Sequence, residues 1–502
     1  MGDGKELTIV HRLSSIVPCK MNGSLAQEFV GSGAGHSTHE RAVRLLGGAI
    51  FYGLLALVAL VAMPYGTVHP WWQAFFECAV FGLAALWIVE GLLSGSWNLS
   101  AYYLFCPLLA LVAFALLQTL PLGGATDLGA LAGRGMWQAV SADPHGTRLW
   151  VSKMLTLILV GVMLLRYTSS EHRLRTLVYL VIGVAVASAV FGLLRQMTQH
   201  EIGFVLPRLK PGFGYAQFIN KNHFPFLMEM ALGLVSGLAV SEAARRERLL
   251  IYLGLALLLA GTLVLATSRG GLFSLICQMI FAVPLFSTAQ RAQDTFASSS
   301  ATARWVPGRV GGSLVVRALL TICLIIVVSV GIVWVGGDPL IGSLEAIRTE
   351  VGAPAEGIRW AVRRKDIWPA TWQLIKDHPV AGIGFGGYWM AITAYHDGSG
   401  EMIPHEAHND YLEFLASGGL IGLALGAWFI YTFIRSVRQR LRSSDEFGRA
   451  MSCGALVGLS GIALHSLVDF GLHVTINAVV LMTLLVIATA HVSAKRTASA
   501  VP

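Results

Sequence analysis

A histidine precedes an apolar run in the C-terminal part of the chain, within the motif His408-Asn409-Asp410-Tyr411-Leu412-Glu413. Pro404 stands just before the motif and suits a helix entrance, and Asn409 or Asp410 could cap the helix. Because the positive end of a helix dipole disfavours an imidazolium, His408 would stay neutral and could accept a proton. The motif therefore predicts a general base, although a histidine that only hydrogen-bonds at a helix end would give the same pattern.

Metal binding is an alternative for the same segment. His405-Glu406-Ala407-His408 is one residue shorter than the H-E-x-x-H spacing of zinc sites. Histidines at i and i+3 can share a helix face, but the sequence offers no obvious third ligand. We expect neither a metal nor another cofactor.

A second group of residues, Ser268-Arg269-Gly270-Gly271, lies between two apolar runs. A guanidinium between two membrane helices is costly to bury and needs a partner. A pyrophosphate would supply that partner through two parallel hydrogen bonds. Alternatively, Arg269 could extend its charged group from a turn toward water.

A third group precedes another apolar run and reads Asn220-Lys221-Asn222-His223. It offers several hydrogen-bond donors and a cation beside apolar anchors. Helix capping would explain Asn220 and Asn222, but it leaves Lys221 and His223 without a role.

A fourth group combines Arg364-Lys365-Asp366-Ile367-Trp368 with the glycine-rich stretch at 377–386. The glycines superficially suggest a phosphate-binding loop, but the lysine and the strand–loop–helix context of such loops are missing. Apolar spacing over 359–376 predicts an interfacial helix, and the glycines then form the turn after it.

The elements that position these groups must be membrane helices. The chain has 502 residues, of which 55% are hydrophobic and 13% charged, and its mean hydropathy is +0.65. Soluble proteins carry nearer a quarter charged residues, so lipid must surround most of this surface. We predict an all-α polytopic membrane protein with about twelve transmembrane helices. They lie at 42–63, 72–93, 99–119, 149–166, 173–194, 223–241, 249–266, 271–287, 314–336, 412–434, 450–470 and 473–492. Small residues at Gly418, Gly419 and Gly422 would let a neighbouring helix pack closely.

Most of the 36 Lys and Arg residues fall in loops on the same side as the N-terminus. The positive-inside rule therefore predicts cytoplasmic termini. All four groups then face the periplasm, where Arg195–Lys221 and Arg348–Lys376 form two cationic clusters. Residues 288–313 would be a flexible cytoplasmic connector. The predicted divisions are a tail at 1–41, helices over 42–336, a long periplasmic loop with the catalytic motif at 337–411, helices over 412–492 and a tail at 493–502.

In their order along the chain, these motifs resemble those of the bacterial O-antigen ligase and polymerase superfamily. The most specific part is His408-Asn409, nine residues, Gly419, two residues and Gly422. The other three groups are similar to the family pattern, and His465-Ser466-Leu467-Val468-Asp469-Phe470 looks like a subgroup feature. Leu423 and Ala424 stand where ligases tend to carry hydroxyl residues, so ligase and polymerase both remain open.

The resemblance implies a type-C glycosyltransferase-like fold that transfers a glycan from undecaprenyl pyrophosphate at the periplasmic face, without metal or nucleotide. The acceptor would be a hydroxyl of lipid A–core, of another lipid-linked glycan or of a protein serine. On this hypothesis His408 is the catalytic base, and the pyrophosphate ligands are Arg269, Arg364, Lys221, Arg195 and Arg208. Acceptor-binding or supporting residues would be Asn409, Asn220, Asn222, His223, Asp410 and Glu413. An exporter of lipid-linked glycan and a non-enzymatic scaffold are the alternatives, although transporters usually show two similar halves, which this sequence lacks.

Overall fold

The computed structural model describes residues 32–95, 97, 102–121, 139–198, 214–241, 246–298, 364–396 and 403–491. Within these residues the secondary structure is helical, apart from one isolated bridge between Tyr215 and Phe218. The helices are α1 Ser32–Leu60, α2 Pro70–Ser94, α3 Cys106–Gln118, α4 Pro144–Tyr167, α5 Glu171–Thr198, α6 Phe224–Ser241, α7 Arg246–Leu265, α8 Arg269–Ser298, α9 Arg364–Asp377, α10 Tyr388–Ala391, α11 Asp410–Leu441, α12 Glu446–His465 and α13 Thr475–Thr489.

The described helices bear out the prediction of an all-α polytopic membrane protein. Nine of them are long and apolar enough to cross a bilayer, and α3 and α13 are shorter apolar helices. Apolar runs locate such helices because the bilayer excludes unpaired backbone groups and charged side chains. The predicted helix at 314–336 lies outside the described residues.

The prediction of a flexible connector over 288–313 is wrong for its first part. Helix α8 continues to Ser298 despite Pro284 within it. Ala, Gln and Arg between 289 and 293 favour helix more strongly than a serine-rich composition suggests. The remainder of the segment lies outside the described residues.

Helices α6 and α12 form the centre of the bundle. Within the apolar part of α6, 78% is buried inside the protein, whereas the corresponding share in α1 is 28%. Glycines bring the two central helices into backbone contact: a Cβ on Gly233 would lie 2.3 Å from the amide nitrogen of Gly458, and one on Gly454 would lie 2.7 Å from the carbonyl of Gly233. This close packing fixes the relative position of the loops at the ends of both helices.

Helix α11 is broken at Gly419, which has φ 57° and ψ −155°. The segment after α9 enters this break and pairs with the released backbone groups. The amide of Leu420 donates to the carbonyl of Pro379 over 2.8 Å, and the amide of Gly384 donates to the carbonyl of Ser417 over 3.0 Å. A membrane helix tolerates such a break when other protein groups satisfy its backbone.

The glycines of α11 therefore accommodate a loop, and the prediction of a neighbouring helix at Gly418, Gly419 and Gly422 is wrong. A Cβ on Gly419 would lie 2.5 Å from the carbonyl oxygen of Val380, and one on Gly418 would lie 2.7 Å from the ring of Phe385. The spacing indicated close approach correctly, but the approaching element is the chain at 379–387.

Hydrogen bonds between distant parts of the chain join the loops at one end of the bundle. The amide of Ile476 donates to the carbonyl of Gly66 over 3.2 Å, and the amide of Asp410 donates to that of Ser466 over 2.9 Å. We call this the His408 end. It comprises 64–69, 214–223, 266–271, 379–387, 403–410 and 466–474.

The opposite end, here the Arg440 end, comprises 166–175 and 440–449. Arg440 pairs with Asp445 at 2.5 Å, and the guanidinium of Arg175 lies 3.8 Å from the ring centroid of Phe447. Helix α1 reaches this end near Gly47, because a Cβ on Gly47 would lie 3.4 Å from Tyr167.

Candidate functional site

The start of α11 is built by the residues that follow His408. The side chain of Asn409 accepts hydrogen bonds from the amides of Tyr411 and Leu412, each at 3.0 Å. Asn409 is therefore the helix cap, as one of the two sequence-based alternatives has it. Asn220 acts similarly at the turn Lys221–His223, because its Oδ1 accepts from the amide of Asn222 at 3.0 Å.

The residue before His408 is held from two directions. The indole nitrogen of Trp368 donates to the carbonyl of Ala407 over 3.1 Å. The amide of Ala407 donates to the carboxylate of Glu413 over 2.9 Å. His408 itself has φ 51°, a left-handed conformation that is uncommon for a residue with a side chain. The two hydrogen bonds of Ala407 thus hold the backbone conformation that orients the imidazole of His408.

Asp469 lies between two histidines from different parts of the chain. Its Oδ1 is 3.7 Å from Nδ1 of His408 and 4.0 Å from Nε2 of His223. Among the described residues, neither nitrogen has a hydrogen-bond partner. The carboxylate side chain is 2% exposed, whereas that of His408 is 30% exposed. The pair therefore has a buried acidic side and an open imidazole side.

Phe470 packs among three imidazoles. Its ring centroid lies 4.7 Å from those of His408 and His223, and 5.8 Å from that of His473, each nearly perpendicular. Edge-to-face packing of this kind fixes ring orientation. Phe470 thus restricts how far each imidazole can rotate.

A cationic group lies on the same turn as His223. Nζ of Lys221 donates to Oγ1 of Thr267 over 2.9 Å, and the charges of Lys221 and Arg269 interact. Arg269 is the first residue of α8, where Ser268 accepts a hydrogen bond from the amide of Gly271 at 3.3 Å. Two cations therefore meet at the positive end of a long helix, which suits a polyanion.

A third cluster surrounds His473 on the other side of the α11 entrance. Its Nε2 is 3.4 Å from Glu413 and 3.7 Å from Asp410, and its carbonyl accepts from Nζ of Lys153 at 2.6 Å. Burial lowers the pKa of His473, and the nearby Asp410 carboxylate raises it by less. Glu413 thus supports both this cluster and the loop before His408.

The structure describes only part of the remaining predicted pyrophosphate ligands, which are Arg195, Arg364 and Arg208. Arg195 donates to the carbonyl of Ala216 over 3.0 Å and so contacts the loop that leads to Lys221. Arg364 is the first residue of α9. Arg208 and the side chain of Arg364 lie outside the described residues.

His405 takes a separate place from His408. Its ring stacks on Trp389 with centroids 5.9 Å apart, and the Trp389 indole nitrogen donates to Asp143 over 3.1 Å. Within the described part of the chain, no group of three or more His, Cys, Asp or Glu side chains is arranged to hold a metal ion.

Sequence reasoning assigned no role to Asp469, Phe470 or His473, although it singled out the segment that contains the first two. Their spacing from His408 exceeds any local motif, so only the fold brings them together. It also passed over Glu229, a carboxylate within the apolar run of α6. A single acidic residue in such a run was the available signal.

The family comparison covers the part of the chain that contains Arg269 and His408. Residues 254–427 match the family model described as O-antigen ligase. The all-helical bundle and this match define a multi-pass membrane protein with an O-antigen ligase domain. This match supports the O-antigen ligase superfamily that the motifs predict. No curated protein is a significant match to it.

Proposed function

We propose that the protein transfers a glycan from undecaprenyl pyrophosphate to an acceptor hydroxyl, at the His408 end and on the periplasmic face. The O-antigen ligase domain supports a glycosyltransferase-like reaction of this class. The observation that carries the proposal is the His408–Asp469 pair, which joins the turn of Lys221 through His223. Base and cations thus belong to one connected group of residues.

His408 is the general base of the proposed reaction. Its Nε2 removes the acceptor proton while the hydroxyl oxygen attacks the anomeric carbon. The bond from that carbon to the pyrophosphate oxygen breaks, and the configuration inverts. Asp469 faces Nδ1 and stabilises the imidazolium that forms. Its 3.7 Å contact is longer than a hydrogen bond, and such contacts often shorten when substrate binds.

Cations stabilise the departing pyrophosphate as its negative charge grows. Lys221 and Arg269 lie at the positive end of α8, and low-dielectric surroundings strengthen their attraction for the leaving group. We assign the same role to Arg364, Arg195 and Arg208 from the sequence motifs. The supporting set comprises Asn409, Asn220, Asn222, His223, Asp410 and Glu413, of which Asn409 and Asn220 act as caps.

Reconstitution tests the base. The purified protein in lipid vesicles is supplied with a defined undecaprenyl-pyrophosphate oligosaccharide and candidate acceptors, and product is followed by mass spectrometry. His408→Ala should abolish transfer, because a positioned base contributes about 10²–10⁴-fold. His405→Ala is the matched control in the same loop and should retain transfer. Normal product from His408→Ala contradicts the proposal.

The product identifies the acceptor. A ladder of glycan lengths indicates a polymerase, a single adduct on lipid A–core indicates a ligase, and an adduct on a protein serine indicates a protein O-oligosaccharyltransferase. Movement of the donor across the bilayer without any new glycosidic bond would favour an exporter and overturn the enzymatic proposal.

A further inference from the structure

A histidine and a glutamate pair inside the centre of the bundle, away from the proposed base. Nδ1 of His465 lies 2.9 Å from Oε1 of Glu229, and both side chains are fully buried. Glu229 lies about 8 Å into α6 from its first residue, Phe224, at 1.5 Å per residue. His465 is the last residue of α12. The pair therefore joins the two central helices just beneath the His408 end.

The imidazole of His465 is fixed in rotation. Its ring stacks on Phe226 with centroids 4.0 Å apart and an interplanar angle of 22°. The bond from Nδ1 to Glu229 sets which ring edge points away from α6. Among the described residues, Nε2 on that outward edge has no hydrogen-bond partner. The ring thus presents one defined edge to the neighbouring helix.

That edge meets the turn that carries Arg269. A Cβ built on Gly270 would lie 2.8 Å from Nε2 of His465 and 3.0 Å from Val468. The absence of a side chain at Gly270 therefore allows α8 to begin directly against the imidazole. Rotation or displacement of the ring would move the first turn of α8 and, with it, the guanidinium.

The backbone of His465 also builds the turn that carries Asp469. Its carbonyl accepts from the amide of Val468 at 2.9 Å and from the amide of Asp469 at 3.1 Å. One residue thus contacts the Arg269 turn through its ring and closes the Asp469 turn through its carbonyl. Glu229 fixes that residue from a third helix.

We infer that Glu229 and His465 form a positioning pair that sets the distance between the pyrophosphate-binding turn of Arg269 and the Asp469 carboxylate behind the base. The inference rests on the proposed function. A buried polar pair is weak evidence for stability, since apolar side chains of similar volume often stabilise as well or better. The geometry at Gly270 gives this pair a role that an apolar contact would not fill.

Substitutions at Glu229 separate positioning from folding. Glu229→Gln keeps an oxygen that can accept from the imidazole N–H, and it should retain kcat within about threefold. Glu229→Leu fills the volume without an acceptor, and kcat should fall by about 10- to 100-fold, as expected for small displacements of reacting groups. The acceptor KM should change little, because both side chains are fully buried. Activity is expressed per folded molecule, as quantified by size-exclusion chromatography.

A second buried carboxylate provides the matched control. Glu90 pairs with Arg166 at 2.9 Å at the Arg440 end, and both side chains are largely buried. Glu90→Leu also removes a buried acceptor from a membrane helix. It should lower the melting temperature but leave kcat per folded molecule unchanged.

A second measurement does not require transfer activity. Hydrogen–deuterium exchange should accelerate in 266–271 and 466–470 for Glu229→Leu, and should stay at the wild-type rate there for Glu229→Gln and Glu90→Leu. Equal loss of kcat per folded molecule in Glu229→Leu and Glu90→Leu, or unchanged exchange in both turns, overturns the positioning role. Absence of transfer by the wild-type protein contradicts the proposed function instead and leaves the exchange result to decide on the pair.

Discussion

His408 combines an unusual backbone conformation with an open imidazole. Its φ of 51° costs a residue with a side chain about 1 kcal/mol or more. The hydrogen bonds of Ala407 to Trp368 and Glu413 hold the chain in this conformation. Strain that the surroundings impose in this way is common where a side chain must point in one direction. The unfavourable backbone conformation therefore occurs at the residue with the proposed chemical role.

Asp469→Asn tests whether the buried carboxylate assists His408. An amide leaves the volume unchanged but cannot balance the positive charge on the imidazole after proton removal, so kcat should fall by about 10²-fold. Steady-state transfer kinetics in vesicles measure the effect. Asp377→Asn is the control, because Asp377 is exposed and accepts a hydrogen bond from Tyr395. An unchanged kcat in Asp469→Asn would limit Asp469 to a structural part.

Arg269→Lys tests the contact with the leaving group. A point charge cannot reproduce two parallel hydrogen bonds to a pyrophosphate, so kcat should fall by about 10-fold or more. The same kinetics apply, with Arg175→Lys at the Arg440 end as control. Wild-type rates in Arg269→Lys would indicate that Arg269 has a structural role.

At the level of elements, the broken helix α11 connects the loop at 379–387 with the start of the helix at Asn409. The carbonyl of Ala416 accepts from the amide of Ile383 at 3.0 Å, and the side-chain amide of Gln118 donates to the carbonyls of Ala381 and Ser417 at 2.7 and 3.0 Å. Loop, α3 and α11 therefore share one hydrogen-bond network. Any displacement of the loop would alter the helix that starts beside His408.

Gly419→Ala should destabilise the folded protein. The added Cβ would lie 2.5 Å from the Val380 carbonyl, and φ 57° is unfavourable for alanine. We expect a loss of about 1–3 kcal/mol, seen as a lower melting temperature in detergent. Gly48→Ala in α1 meets nothing within 4 Å and should be neutral or slightly stabilising. Equal melting temperatures for both variants would contradict the tight fit of the loop.

The helices and their order could be predicted from the sequence, because apolar runs of sufficient length mark the segments that can cross a bilayer. The break at Gly419 could not, since a glycine in an apolar run permits close approach by any element. The caps at Asn220 and Asn409 followed from local chemistry. Asp469 did not, because its relation to His408 depends on how α11 and α12 pack. Interactions between residues close in the sequence could thus be predicted, and contacts between distant segments could not.

The whole molecule places the proposed chemistry at one end of a bundle. Helix α1 reaches the Arg440 end near Gly47. Helix α13 ends there too, because Ser452 near the start of α12 donates to the carbonyl of Ala488 over 2.7 Å. The arginine-rich turn at 440–449 is also there. The positive-inside rule then favours a cytoplasmic Arg440 end and a periplasmic His408 end.

Cysteine labelling tests this orientation in a chain whose six native cysteines are replaced by alanine. Thr393→Cys is exposed beside the loop at 379–387, and Ser444→Cys is exposed in the turn of the Arg440 end. A thiol reagent that cannot cross the inner membrane should label the former in intact spheroplasts and the latter only after lysis. The reverse pattern would refute the periplasmic assignment of the site.

The segment inserted into α11 has a consequence for how substrates reach the imidazole. Its withdrawal would remove the partners that the amides of Leu420 and Ile421 and the carbonyl of Ala416 have in the loop. Each abandoned group would cost several kcal/mol in hydrocarbon. This segment is thus a fixed wall, and substrate entry and product departure must use a route that leaves it seated.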